Sequence, residues 1–251
     1  MNVALAVLAH PDDAEFVCAG TLLRLQREHG YRIHIATMTA GDCGSAEFGP
    51  EEIADIRRRE GAQACQAVGF LNHCLEVRDL RVCYCTEQLE LVTRLLDRIR
   101  PTLVLTHSPA DYHMDHEQTS LLVRAATFAA PIKNFLHRPG HTEAYPPLGG
   151  IPHLYYCDPL EGKDIYGTRV PPALFVDIRS TIDEKATMLA AHESQRAWLK
   201  AHHGVDNLID SMMQWSAFQG KHAGVPYAEG FRQHLGHSYP QNNLLGELLG
   251  D

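Results

Sequence analysis

Two short stretches of the chain hold residue types that can do chemistry together. The first is Leu8-Ala9-His10-Pro11-Asp12-Asp13-Ala14-Glu15, one imidazole followed by two adjacent carboxylates. The second runs from His107 to His116, and in it His113 and His116 flank Asp115. An ionised aspartate and a neutral histidine are what a divalent cation needs as ligands. Two imidazoles and a carboxylate around an open fourth position make a catalytic zinc site. A tight turn lets His10 and Asp13 reach one ion, with Asp12 beside it. Taken alone, the first stretch reads equally well as a turn with helix-capping aspartates. The second alone reads as a polar surface loop. The pairing is what carries weight, because each cluster closes one of the two most apolar early segments, Val3 to Ala9 and Thr102 to Thr106.

Those segments read as buried β-strands. A helical pattern follows the first, from about Asp13 to His29, and its positive end favours ionised aspartates. Arg32 to Thr39 alternates as a second strand. A helix opens at Pro50-Glu51-Glu52, with proline near its first turn, and stops at Gly69. Cys74 to Val77 is expected as a short strand and Thr86 to Arg98 as a helix. After the strand at Thr102 to Thr106, a helix is expected from about His116 to Ala129. Ala130 to Gly150 reads as loop. His153 to Tyr156 and Ala173 to Asp177 are further strand candidates. Thr181 and Glu184 form a capping-box pattern that opens a helix running to about His202. Asp206 to Phe218 is weakly helical, and Pro226 to Gly236 shows no clear period.

Strands alternating with helices predict an α/β fold: a Rossmann-like, mostly parallel sheet with helices on both faces. A single domain is expected over 1–251, with its Rossmann-like core in about 1–160 and a C-terminal part in about 161–251. The usual strand order sets strand 1 beside strand 4, so the clusters at their carboxyl ends should face one crevice.

Composition narrows the function classes. The formal net charge of -9 over 251 residues argues against a nucleic-acid binder, which would show a basic stripe. No run is long and apolar enough to span a bilayer, and no basic leader precedes the first strand. Seven cysteines with no Cys-x-x-Cys pair fit reduced thiols better than a disulfide framework. A cytoplasmic protein is therefore expected, and a homo-oligomer is left open.

With these residues in view, the sequence resembles the PIG-L/LmbE-like N-acetylglucosamine deacetylases. The resemblance rests on the Ala-His-Pro-Asp-Asp turn, Ala9 to Asp13, and on His113-x-Asp115-His116. It extends to Thr39–Ser45, Arg57-Arg58-Arg59-Glu60, Ala191-His192-Glu193-Ser194-Gln195 and Tyr227-Ala228-Glu229-Gly230-Phe231. The last segment and Glu15 are most similar to the bacillithiol-pathway branch, which deacetylates N-acetylglucosaminyl malate. The resemblance implies a PIG-L/LmbE-like deacetylase fold and hydrolysis of the acetamide of an N-acetylated sugar. It implies zinc, with Fe2+ as the other candidate ion, held by His10, Asp13 and His116. It makes Asp12 the general base, His113 the group that stabilises the oxyanion or protonates the leaving amine, and Asp115 the residue orienting His113. Arg57 would hold a polar or anionic part of the substrate, and Tyr227 would close over the site. Two other readings stay open: an amidase of the same family acting on a thiol conjugate, and a non-catalytic sugar- or nucleotide-binding Rossmann module. Against the module, no Gly-x-Gly-x-x-Gly follows the first strand, and carboxylates stand where a pyrophosphate would need bare backbone.

Overall fold

The computed structural model describes residues 2–135, 146–196 and 208–250. Its centre is β1 (Val3–Leu8), a strand whose side chains are buried on both sides. Ala4, Ala6 and Leu8 face one core cluster, and Leu5 and Val7 face another. That alternation on a fully covered strand is how a parallel sheet sandwiched between helices is built. In chain order the first half adds α1 (Asp13–Val17), α2 (Ala19–His29), β2 (Arg32–Thr39), α3 (Pro50–Ala67), β3 (Leu71–Val77), α4 (Thr86–Ile99), β4 (Leu103–Thr106) and α5 (Met114–Ala129). The second half adds β5 (His153–Cys157), β6 (Leu174–Asp177), α6 (Ile182–Ala190), α7 (Leu208–Ala223), β7 (Ala228–Gln233) and α8 (Leu244–Leu249).

Among the described residues, seven strands form one sheet in the order β3-β2-β1-β4-β5-β7-β6. Pairings from β3 through β5 are parallel, while β7 runs antiparallel to both β5 and β6. The expected adjacency of β1 and β4 is present, with Ala4 opposite Leu103 and Val7 opposite Thr106. The first cluster contains Leu22 and Leu25 of α2, Met188 of α6, Met212 of α7 and Leu245 of α8. The second contains Val92 and Leu96 of α4 and Leu122 and Val123 of α5. Leucine, valine and methionine at these helical spacings drive the layers together by burying apolar surface.

Several boundaries differ from the sequence expectation. The first helix is two helices broken at Cys18, whose backbone lies at φ -149° and ψ 0°. The break releases the amides of Gly20 and Thr21, which donate to the Glu229 carboxylate at 2.9 and 2.7 Å. Lys185 Nζ reaches the same carboxylate at 2.7 Å, and both side chains are buried. Gly20 is required there, because a Cβ would lie 2.8 Å from the Ile178 side chain. Thr181 does not cap α6; its hydroxyl donates to Gly20 O at 3.0 Å, so the capping-box expectation fails. The helix expected to reach His202 stops at Ala190, and the chain turns at Ala191 before helical geometry resumes over 193–196. Its remainder lies outside the described residues, as do 136–145 of the expected loop and the first residues of the 206–218 helix. β3 starts earlier than expected, at Leu71, and takes in the polar Asn72 and His73, because it is an edge strand and only partly covered. β7 was not expected as a strand; its Glu229 is a buried charge inside it.

Candidate metal centre

The carboxyl ends of β1 and β4 bring the two clusters together. Asp12 sits in the left-handed region at φ 93°, which turns the chain sharply from β1 into α1. A non-glycine residue held there is uncommon and marks a constrained turn. The turn folds Asp13 back so that its Oδ2 accepts from the His10 amide at 2.7 Å. His10 Nδ1 then lies 3.4 Å from Asp13 Oδ2, and His116 Nε2 lies 3.5 Å from Asp13 Oδ1. The His10 and His116 rings are 5.3 Å apart between centroids. Ligand atoms of His10, Asp13 and His116 all lie within 4.8 Å of one another.

Each of these histidines is held from behind by a carboxylate. Asp115 Oδ2 is 3.2 Å from His10 Nε2, and Asp111 Oδ1 is 3.0 Å from His116 Nδ1. Such partners fix the tautomer and aim the other nitrogen at a cation. Burial works against a charge on either ring. The bonds from Asp115 and Asp13 outweigh it for His10, whose pKa rises to about 9. Asp13 and Asp111 do the same for His116, raising it to about 10. Burial likewise pushes Asp13 up, but His116 and His107 hold its carboxyl well below the usual range. The pocket thus demands positive charge, and two nitrogens with one carboxylate fit a divalent cation by number, type and spacing.

Asp12 lines the same cavity as these groups. Burial pushes its pKa up to about 6, against the pull of Arg57. His113 also lines the cavity, and its Nδ1 accepts from the Asp115 amide at 3.1 Å. That leaves Nε2 as the nitrogen bearing hydrogen, and burial keeps the ring neutral by lowering its pKa. The expected pairing of Asp115 with His113 is therefore corrected. The Asp115 carboxylate holds His10 and the Leu80 amide, and only its backbone N–H holds His113.

Arg57 is buried on α3. It donates to Pro11 O at 2.7 Å and Gly41 O at 3.4 Å, and lies 3.6 Å from Asp12 Oδ1. It lines the cavity but spends its guanidinium on the turn that carries Asp12. One helical turn later, Glu60 accepts from Ser194 N at 2.8 Å and Ser194 Oγ at 2.6 Å. This bond seats the segment whose Gln195 also lines the cavity. Tyr227 is not brought to the cavity; it packs, half-buried, against the core.

Two residues were not anticipated. Asp111 carries His116, and its loop position gives no periodic signal. His107 directly follows β4, accepts from the Ala9 amide at 2.9 Å and stacks on His116 with centroids 3.8 Å apart. Burial lowers its pKa to about 4, so it stays the neutral acceptor that this bond needs. A histidine at the very end of the second buried strand was the available clue. The cavity enclosing these groups measures about 720 Å³.

Residues 5–127 match the family described as PIG-L, GlcNAc-PI de-N-acetylase. Over those residues the chain is similar to the PIG-L family. The match ends within α5, so both clusters lie inside it, and β5 to α8 complete the sheet beyond it. Among curated relatives, the chain is 27% identical over 191 residues to a 4-oxalmesaconate hydratase of Pseudomonas putida, covering 72% of this chain and 69% of that one. It is 25% identical over 248 residues to a 1D-myo-inositol 2-acetamido-2-deoxy-alpha-D-glucopyranoside deacetylase of Rhodococcus erythropolis, covering 76% and 80%. The N,N'-diacetylchitobiose deacetylase of Pyrococcus horikoshii has the same PIG-L fold, with a TM-score of 0.77, 23% identity and coverage of 97% and 88%.

Proposed function

We propose that the protein hydrolyses the acetamide of an N-acetylglucosamine-containing small molecule, releasing acetate and a free amino sugar. The observation that carries this is the convergence of His10, Asp13 and His116 on one point, with a carboxylate outside that ligand set, Asp12, and a neutral imidazole, His113, on the same cavity. His10, Asp13 and His116 would hold Zn2+, with Fe2+ the other candidate. When bound, such an ion supplies Lewis acidity and lowers the pKa of its water to about 7.

The chain's own residues do the rest. Asp12, in its ionised form, accepts the proton of the attacking water. His113 offers Nε2–H to the carbonyl oxygen as it gains negative charge; one such donor is worth about 3–4 kcal/mol. An amine leaves only when protonated. Asp12 holds the water's proton at that point and can deliver it to the nitrogen, and His113 is the other donor available. Water has then been split between acetate and amine, and Asp12 returns to its ionised form.

The similarity to a hydratase supports a second reading, addition of water to an unsaturated polycarboxylate. The cavity argues against it. Asp79, Asp158 and Glu161 line it together with the aspartates of the centre, and Arg57 is its one lysine or arginine among the described residues. The test is to load the protein with Zn2+, offer N-acetylated sugars and 4-oxalmesaconate, and assay released amine and hydration with and without chelator. Chelator-sensitive amine release is expected. Hydration without any amine release would overturn the deacetylase reading.

A further inference from the structure

The geometry points to a substrate whose second half, beyond the N-acetyl sugar, is uncharged and apolar, an alkyl or aryl substituent. This rests on the deacetylase reading and narrows it. At about 720 Å³ the cavity has the capacity of sites that enclose whole drug-sized ligands, more than an acetamide needs. Phe16, Val17, Leu160, Leu189 and Leu208 line it. They come from α1, the segment after β5, α6 and α7, so four separate parts of the chain contribute apolar side chains to one space. Phe16, Val17 and Leu208 are packed against the core cluster that contains Leu189, so this lining continues the core to the cavity rather than scattering single residues.

Charge excludes the alternative. The three carboxylates outside the centre that line the cavity, Asp79, Asp158 and Glu161, give it negative character. Arg57 is committed to Pro11 O and Gly41 O and lies against Asp12. A carboxylate or phosphate on the substrate would find no lysine or arginine besides Arg57 among the described lining residues, and would meet like charge at Asp79, Asp158 and Glu161. An apolar substituent meets surface that gains from being covered.

The test compares acetate release by the Zn2+-loaded full chain from free N-acetylglucosamine, its hexyl and benzyl glycosides, and a glycoside of similar size bearing a carboxylate. The expected result is kcat/KM at least about tenfold higher for the hexyl and benzyl glycosides than for the free sugar, and no gain for the carboxylate. Leu160→Asp should cut the hexyl-to-free ratio at least about fivefold, and Val17→Ser should lower it in the same direction. Equal rates for free and hexyl sugars, or a preference for the carboxylate, would overturn the inference while leaving deacetylation standing. Calorimetric titration with hexyl glucoside, which has no acetamide, separates the two claims. Binding that Leu160→Asp weakens, without turnover of any acetamide, would keep the apolar subsite and remove the deacetylase. No binding would remove the subsite.

Discussion

The Asp115 carboxylate stands 3.2 Å from His10 Nε2, although 105 residues separate the two in the chain. Asp111 holds His116 in the same manner from within its own loop. The two imidazoles are therefore oriented by Asp115 in the first turn of α5 and by Asp111 in the loop before it, and the centre depends on β1 and β4 being neighbours.

Metal affinity should reflect this. Asp111→Ala and Asp115→Ala each remove the group that fixes a ligand's tautomer, and each is expected to weaken Zn2+ binding about 10–100-fold. Competition with a chromogenic chelator measures it. Unchanged affinity in both variants would remove the orienting role.

Asp12→Asn keeps the size of the side chain and abolishes its basicity. It should retain metal while kcat falls by about 10²–10⁴. Metal content and turnover on the same preparation check this together, and wild-type turnover would end the assignment of Asp12 as base.

Arg57→Ala strips the donor from two carbonyls, Pro11 O and Gly41 O, beside the partly buried Asp12 carboxylate. Each buried group left unpaired costs about 1–3 kcal/mol, so a lowered melting temperature and a reduced kcat are expected. KM should change alike for neutral and acidic glycosides. A selective rise for acidic ones would restore the anion-holding role that the sequence resemblance implies.

Lys185→Met leaves Glu229 buried with its two amide donors but no cation. The expected loss of stability is about 3–5 kcal/mol by denaturant titration. Lys185→Met combined with Glu229→Gln should lose less than the single variant, since no charge then remains uncompensated.

His34 gives a pH dependence. It is buried on β2, its Nδ1 lies 2.9 Å from His73 Nε2, and burial and His73 lower its pKa to about 4. Below the unfolded pKa near 6.5 the unfolded chain binds the proton more readily, so stability declines as pH falls from about 6.5 toward about 4. Above that window the contribution is fully present. Denaturant titrations at pH 7.5 and 5 should show the decline, and His34→Phe should flatten it.

The sequence made β1, β4 and their terminal clusters legible because apolar runs and adjacent His and Asp residues are local signals. It also implied their proximity, since parallel sheets of this kind have few strand orders. It did not disclose which carboxylate serves which imidazole. Asp115 is closer in sequence to His113 than to His10, and only the folded chain shows the longer pairing. Strand β7 was hidden for a related reason. Glu229 breaks any apolar alternation, and the Lys185, Gly20 and Thr21 groups that make its burial tolerable lie far away in sequence. The break at Cys18 belongs to the same long-range arrangement.

Helix α3 grips the Asp12 turn through Arg57 and the Gln195 segment through Glu60, one turn apart on a single rod. The width of the opening between those two walls is thus slaved to the seating of one helix. Whatever shifts α3 therefore displaces the Asp12 turn and the Gln195 segment at once.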